Sequence, residues 1–376
     1  MRFILFFIIL ALLIIVHEGG HFIIGKRSGI AVDEFSIGFG PPIFHRFIHG
    51  TLYSLRVLPF GGYCRFLGQD EFFDEEDDED EGDAPPSLDN SHQYTDQSSD
   101  EEWDLADGVP FSVASVWARI ATVFAGPFMN FVLAFFLALF VIGSSGTDMP
   151  RVLDVMEGYP AEEAGLKPGD FITSINGRKI DLYRDISLYM MLKGNETLNV
   201  SFLRDGAPMK TVIIPRYDQD SDRYLLGIYG SGEREKGGPL FTVKYSLIEV
   251  RYWIEATWKS LGLIFKGRVT KDDIAGPIGV AKIVGDVYEE SRPSGIYYIW
   301  INMMSLTILL SANIGVMNLL PFPALDGGRL IFLLYEAVTR RKVNSKIEMA
   351  VTFAGVCVLL LIMVAVMIND ITRFLR

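Results

Sequence analysis

The sequence predicts a polytopic α-helical membrane protein with four transmembrane helices, a β hairpin and one small α+β domain. Hydrophobic residues make up 49% of the 376-residue chain, which suits a membrane protein with room for a soluble domain. Four apolar stretches are long enough to cross a bilayer. Between the second and the third, short alternating runs are separated by Gly-Asp, Asn-Gly and Asp-Gly turns, a pattern typical of a small domain.

The first predicted span, residues 1–27, contains the sequence His17-Glu18-Gly19-Gly20-His21. Histidines at i and i+4 lie on one face of a helix, close enough to bind one metal ion, and Glu18 between them can act as a base. Ionisable groups inside a bilayer cost several kcal/mol and are usually functional. A cleaved signal peptide is the alternative, but a small-x-small cleavage site is missing and cleavage would remove the motif.

Residues 28–69 are predicted to form a membrane-associated β hairpin. Short runs in which apolar and polar residues alternate are separated by Gly and Pro. Phe60-Gly61-Gly62-Tyr63 has the residue types of a hairpin turn. An ordinary surface hairpin is the alternative. The position between two spans favours a hairpin at membrane depth, where irregular backbone survives only if protein or a water-filled cavity satisfies it.

The excess negative charge of the chain lies in one segment. The net charge is −13, yet Asp70 to Asp107 contains 18 Asp and Glu with no Lys or Arg, so the remainder is slightly basic. With its Pro, Ser and Gln and few aliphatic side chains, the segment cannot bury enough apolar surface to fold. We therefore predict a disordered cytoplasmic insertion over residues 70–110.

The second and third spans each carry polar residues. The second, 111–143, contains Asn130 after Gly126 and Pro127, and its amide needs a partner, in helix packing or beside a reacting centre. The third, 297–330, is broken by two prolines before Asp326. If it pairs with the first span, Asp326 supplies a third metal ligand and leaves the fourth zinc position to water. Alternatively, Asp326 is a helix-end residue facing water.

The remaining segments complete the predicted topology. They are the small domain at 148–232, an amphipathic juxtamembrane region at 240–296, and the fourth span at 348–370. We place the region 240–296 at the membrane interface because of its tryptophans; the alternative is a helix packed on the small domain. Lys and Arg follow the first span and lie between the third and fourth, so those sides are predicted to be cytoplasmic and the small domain extracytoplasmic. Two cysteines imply no disulfide framework.

Together, the motifs HEGGH, AGPFMN, AGLKPGDFITSING, GPIGVA and NLLPFPALDGG, in this order, resemble the site-2 protease family of intramembrane zinc metalloproteases, and within it the bacterial regulator of sigma-E protease group. The resemblance covers nearly the whole chain. It implies a multi-pass protein of the bacterial cytoplasmic (inner) membrane that binds Zn²⁺ and has its active site towards the cytoplasm. It also implies that residues 148–232 form a PDZ-like domain of the circularly permuted type, in one copy where characterised Gram-negative relatives have two.

The resemblance implies roles for individual residues as well. His17, His21 and Asp326 would be the zinc ligands and Glu18 the catalytic base. Asn130 and Asn318 would position substrate backbone or the oxyanion, and Gly61 and Gly62 lie in the hairpin expected to hold an unwound substrate strand.

The function implied is zinc-dependent hydrolysis of peptide bonds within or near the transmembrane segment of single-span membrane proteins. Such substrates include an anti-sigma factor remnant or a leftover signal peptide, already cut by a site-1 protease. The lipid bilayer is an expected partner and nucleic acid is not. A non-catalytic scaffold and a zinc transporter are the other function classes; retention of all four site residues counts against the first, and convergence of the candidate ligands on one point counts against the second.

Overall fold

The computed structural model describes residues 2–69, 107–219, 223–230, 234–267 and 275–374. Nearly all of the predicted acidic insertion, 70–110, lies outside these residues. Within them the chain forms nine α-helices, which are α1 (Arg2–Arg27), α2 (Val116–Ser145), α3 (Pro160–Glu163), α4 (Tyr183–Lys193), α5 (Pro239–Phe265), α6 (Pro277–Ser291), α7 (Ile296–Asn318), α8 (Asp326–Thr339) and α9 (Ser345–Phe374). Its strands are β1 (Val32–Ile48), β2 (Thr51–Phe66), β3 (Val152–Val155), β4 (Phe171–Ile175), β5 (Arg178–Lys179), β6 (Leu198–Arg204), β7 (Ala207–Ile213), β8 (Arg216–Asp218), β9 (Arg223–Leu225) and β10 (Ile228–Gly230).

Four of the described helices, α1, α2, α7 and α9, are long and apolar enough to cross a membrane, as the sequence predicts. The third differs in length from the prediction of 297–330, since α7 ends at Asn318 and α8 begins at Asp326. Proline has no backbone N–H and fixes φ, so Pro321 and Pro323 interrupt the helix. Asp326 therefore lies in the first turn of a new helix.

Two compact units divide the chain. The first comprises Met1–Val132, Val269–Glu290 and Ile314–Arg376, and the second comprises Leu133–Arg268 and Ser291–Asn313. Helices α2 and α7 each contribute to both units.

In the first unit, β1 and β2 pair around a tight turn at His49 and Gly50. Both turn residues have positive φ, 47° and 67°, as a type I′ hairpin turn requires. The turn that joins the two strands is therefore not the one predicted at Phe60-Gly61-Gly62-Tyr63, since these residues lie within β2. Residues 34–37 have two partners each, one in 52–55 and one in 62–65, so β2 bends back along β1 and Gly61, with φ of 93°, lies in that bend.

The segment before α2 contacts both the residues that follow α1 and the junction of α8 with α9 in the first unit. Ile30 forms a β-bridge with Val109, and the Lys342 ammonium donates to the Ser112 carbonyl oxygen. Arg119 of α2 pairs with Glu336 of α8 at 2.6 Å. The basic residues that predict a cytoplasmic side are thus on segments in contact.

The GPIGVA motif is explained by a helix cap. The buried Asp370 carboxylate near the end of α9 accepts hydrogen bonds from the backbone N–H groups of Gly276, at 3.1 Å, and Gly279, at 2.8 Å. A Cβ at Gly276 would lie 2.7 Å from a carboxylate oxygen of Asp370. Small residues at these positions therefore let α9 hold the start of α6, whose first N–H groups have no partner within the helix.

The second unit contains the small α+β domain. Its four-stranded sheet has the order β5-β4-β6-β7, and β10 pairs with β3 in a separate two-stranded sheet. The core alternates along the strands, as expected for a sheet with one buried face. It includes the fully buried Ile172, Ile175, Leu198, Val200 and Ile213.

Helix α5 packs on this domain through charged residues. The Arg184 guanidinium donates to Glu249 at 2.7 Å and to Asp148 at 2.7 Å, and Arg251 donates to Asp181 at 2.8 Å. The tryptophans of this helix predict a position at the membrane interface. The ion pairs show that the helix packs on the small domain, and its position at the membrane interface stays a prediction.

Candidate active site

Side chains from two helices of the first unit converge where α1 meets the start of α8. The Nε2 atoms of His17 and His21 are 3.3 Å apart. The Oδ2 atom of Asp326 is 3.1 Å from the first and 3.4 Å from the second. This is the group of three or more potential metal ligands found among the described residues, and both histidines are buried.

The three atoms fit a zinc ion. A tetrahedral ion with ligand bonds of about 2.0–2.1 Å separates its ligand atoms by about 3.3 Å, which matches the observed distances. Asp326 Oδ2 is buried and has no hydrogen-bond donor of suitable geometry in the described part of the chain. A buried oxygen without a donor, beside two imidazole nitrogens, is a set of ligand atoms that could hold a metal ion.

Helix α2 holds the opposite nitrogen of each histidine. The Nδ1 atom of His21 lies 2.9 Å from the Thr122 carbonyl oxygen, and a carbonyl oxygen only accepts, so Nδ1 carries the hydrogen and Nε2 of the neutral ring has a lone pair. The Nδ1 atom of His17 lies 3.2 Å from the amide nitrogen of Asn130. Both contacts come from α2, which runs antiparallel to α1 along the motif.

Two glycines permit this close approach of α1 and α2. A Cβ at Gly126 would lie 2.2 Å from Nε2 of His21, and one at Gly20 would lie 2.4 Å from the Ala125 carbonyl oxygen. Contacts that short do not occur, so any side chain at Gly126 would displace the His21 ring. Gly126 is therefore required for the position of His21 as well as for helix packing.

Beside the ligands is a cavity of about 290 Å³. Glu18 lines it, as do Gly61, Gly62 and Asn318, so the structure brings together most of the residues singled out in the sequence. Asn130 does not line the cavity and is completely buried behind His17. The full lining consists of Ile14, His17, Glu18, Gly61, Gly62, Ile314, Asn318, Ala324, Leu325 and Asp326.

Gly62 brings β2 against the motif. A Cβ there would lie 2.8 Å from the Ser36 carbonyl oxygen and 3.7 Å from Cγ of Glu18. Because Gly62 has no side chain, it contributes only backbone atoms to the wall of the cavity next to Glu18. Backbone of this kind can receive an extended peptide if its hydrogen-bonding groups are open.

A buried carboxylate stabilises the β1–β2 sheet that forms this wall. Glu34 accepts hydrogen bonds from Ser54 at 2.5 Å, Arg56 at 2.6 Å and Tyr63 at 2.8 Å. Burial alone would raise the pKa of Glu34, but these donors outweigh it, and the pKa is lowered. Burial and the Glu34 carboxylate raise the pKa of Tyr63 to about 12.

Sequence reasoning missed Thr122 and Ala324. Thr122 acts through its backbone carbonyl, which leaves no signal in the sequence. Ala324 lines the cavity with φ of 85°, an uncommon conformation for a residue other than glycine. The two prolines around it indicated a broken helix but not this conformation.

Known proteins resemble this chain along its length. Peptidase family M50 matches residues 5–362. The regulator of sigma-W protease RasP of Bacillus subtilis is 31% identical over 98% of this chain and 97% of its own. A putative zinc metalloprotease of Clostridium acetobutylicum is 31% identical over 96% of this chain and 94% of its own.

A solved PDZ domain of an SdrC-like protein from Listeria monocytogenes covers 23% of this chain and 88% of its own, with 20% identity and a TM-score of 0.20, too low to bear on the fold. The family matches confirm the resemblance predicted from the motifs. They also confirm the prediction of a zinc metalloprotease. The chain therefore belongs to the M50 (site-2 protease) family of zinc metallopeptidases.

Proposed function

We propose that this protein hydrolyses peptide bonds within or near the transmembrane segment of single-span membrane proteins, after an earlier cleavage by a site-1 protease. One observation carries the proposal. Three ligand atoms, 3.1–3.4 Å apart, border a 290 Å³ cavity that also contains Glu18, and the motif lies in an apolar helix long enough to span a bilayer.

In this proposal, His17, His21 and Asp326 hold the metal and Glu18 is the catalytic base. When bound, zinc supplies a Lewis acid that activates water and polarises the scissile carbonyl. Glu18 takes the proton of the attacking water and delivers it to the leaving nitrogen. Asn318, which lines the same cavity, donates an amide hydrogen to the oxygen on which negative charge develops.

The β1–β2 sheet is proposed to receive the substrate. A helical substrate hides its peptide bonds in i to i−4 hydrogen bonds, and each backbone group released in lipid costs several kcal/mol unless it is paired. Pairing with the backbone at Gly61 and Gly62 would restore those bonds beside Glu18. Exposed apolar side chains on the sheet, which include Phe39, Ile43, Phe44 and Val57, support contact with lipid.

In the proposed orientation, the metal site lies towards the cytoplasmic side of the membrane and the small domain lies on the extracytoplasmic side. The basic residues after α1 and between α8 and α9 support it. We propose that residues 148–232 form a PDZ-like domain that excludes large substrates or binds a free C-terminus. Two contacts hold strand β10 in this domain. It pairs with β3, and its Ile228 carbonyl oxygen accepts a hydrogen bond of 3.1 Å from the Tyr183 hydroxyl of α4.

Replacing Glu18 with Gln tests the catalytic assignment. We expect cleavage of a single-span substrate in detergent to fall by about 10²–10⁴-fold, while one zinc per chain remains bound. Glu157→Gln, which neutralises an exposed carboxylate of the small domain, is the control and should cleave at the wild-type rate. Wild-type cleavage by Glu18→Gln would contradict the proposal.

A further inference from the structure

Asn130 and Asn318 occupy different surroundings, although the motif resemblance assigns both to the substrate. Asn318 lines the cavity beside Glu18 and Asp326. Asn130 has no exposed surface, and its amide nitrogen is 3.2 Å from Nδ1 of His17. A residue that is fully buried behind a ligand, and outside the cavity lining, cannot contact a substrate lying in that cavity.

We propose that Asn130 is a positioning residue for His17, whose amide oxygen accepts the Nδ1 hydrogen and so directs the Nε2 lone pair to the metal. This inference rests on the proposed function, since it takes His17 as a ligand. A histidine that binds a metal through Nε2 must carry its hydrogen on Nδ1, and a hydrogen-bond acceptor there selects that tautomer and fixes the ring plane.

The two histidines differ in how firmly this tautomer is set. Nδ1 of His21 faces the carbonyl oxygen of Thr122, which can only accept, so its tautomer is fixed by the backbone. Nδ1 of His17 faces a side-chain amide that has both a donor and an acceptor. His21 is thus a preset ligand, and His17 depends on the orientation of Asn130.

Both amide orientations are chemically consistent with the surroundings of His17. With the amide nitrogen towards Nδ1, as the structure has it, Nδ1 accepts and the neutral ring carries its hydrogen on Nε2, which then has no lone pair for a metal. A half-turn about the Cβ–Cγ bond puts the amide oxygen in the same place. Nδ1 then donates, and Nε2 presents its lone pair beside Nε2 of His21. Binding of zinc through His17 therefore selects the second orientation of the amide.

Zinc affinity of the purified full-length protein, measured by competition with a chromophoric chelator, tests this. Asn130→Leu removes the acceptor while keeping the same branching of side-chain heavy atoms, and it should weaken zinc binding by about 10–100-fold. Asn130→Asp keeps an acceptor and removes the donor, so its affinity should stay within a few-fold of the wild type or exceed it. Asn130→Ala repeats the removal if leucine is not tolerated.

Thr307→Val is the matched control for loss of a buried polar group in an apolar helix. Thr307 is buried in α7. In the described structure its hydroxyl makes one hydrogen bond, which it donates to the Met303 carbonyl oxygen of the same helix. This variant should bind zinc like the wild type. Comparable melting temperatures of the zinc-free proteins establish that the variants are folded.

The outcomes separate this inference from the proposed function. If the wild type fails to bind one zinc, or if His17→Ala binds zinc as tightly as the wild type, the proposed ligand set is wrong. If His17→Ala loses zinc but Asn130→Leu keeps full affinity, with a lower kcat or a higher KM, Asn130 acts on the substrate and the inference is overturned. Equal loss of affinity in Asn130→Leu and Asn130→Asp also overturns it.

Discussion

Two carboxylates of the first unit, each with a buried oxygen, have opposite surroundings. The Glu34 carboxylate accepts hydrogen bonds from Ser54, Arg56 and Tyr63, so its oxygens are paired with hydrogen-bond donors. Asp326 directs Oδ2 at two imidazole nitrogens and has no donor of suitable geometry in the described structure. Burial alone thus does not distinguish a structural acid from a metal ligand. The donors around it do, because an unpaired buried oxygen costs free energy that a bound metal ion can offset.

The largest expected effect concerns zinc and Asp326. At a free zinc concentration of 1,000 times Kd, binding should stabilise the wild type by about 4 kcal/mol. Asp326→Asn should lose most of this stabilisation, yet without zinc its unfolding midpoint should equal or exceed that of the wild type, because a buried charge without donors is removed. Thermal unfolding in detergent, with chelator or with zinc, measures both. A zinc-free Asp326→Asn protein that is much less stable would show that Asp326 is a structural acid like Glu34.

Glu34 should behave in the opposite way. Glu34→Gln removes the charged acceptor of Arg56 and Tyr63 and should destabilise the protein by on the order of 3 kcal/mol, with or without zinc. The neighbouring Asp33 is the control, because its side chain is 40% exposed and its pair with Arg65 is worth under about 1 kcal/mol. Equal destabilisation by Glu34→Gln and Asp33→Asn would remove the distinction between the two acids.

A smaller effect is expected from pH. Because the pKa of Glu34 is lowered on folding, its stabilisation is fully present above its ordinary pKa of 4.5. That stabilisation is lost as the pH falls through the lower folded value. The difference in unfolding midpoint between the wild type and Glu34→Gln should therefore shrink on acidification below about pH 4.5. A difference that stays constant from pH 7 to pH 3 would contradict this account.

Much of the site could be predicted from the sequence because its chemistry is local. The i, i+4 spacing puts His17 and His21 on one helix face, and the prolines before Asp326 predict that the third span ends there. The position of the hairpin turn could not be predicted in the same way. Both His49-Gly50 and the Gly61-Gly62 pair have turn chemistry, and only the pairing of residues 34–37 with two segments of β2 determines which one joins the strands.

The role of Asn130 shows a second limit. An amide in an apolar stretch indicates that a partner exists, but the partner is decided by the crossing of α1 and α2, which depends on the contacts of Gly20 and Gly126. Likewise, the tryptophans of α5 suggested the membrane interface. The ion pairs with the small domain involve residues far apart in the sequence, such as Arg184 and Glu249, and no local pattern encodes them.

The hydrogen bond between His21 and the Thr122 carbonyl has a consequence for genetics. Every amino acid has this carbonyl, so no codon change at position 122 deletes the acceptor, whereas one base change can remove the amide at position 130 or add a methyl group at position 126. A collection of loss-of-function alleles would therefore include substitutions that remove the contact of Asn130 with His17, but none that removes the acceptor of His21. Only an edit of the main chain itself, such as replacing the amide between residues 122 and 123 with an ester, weakens that acceptor.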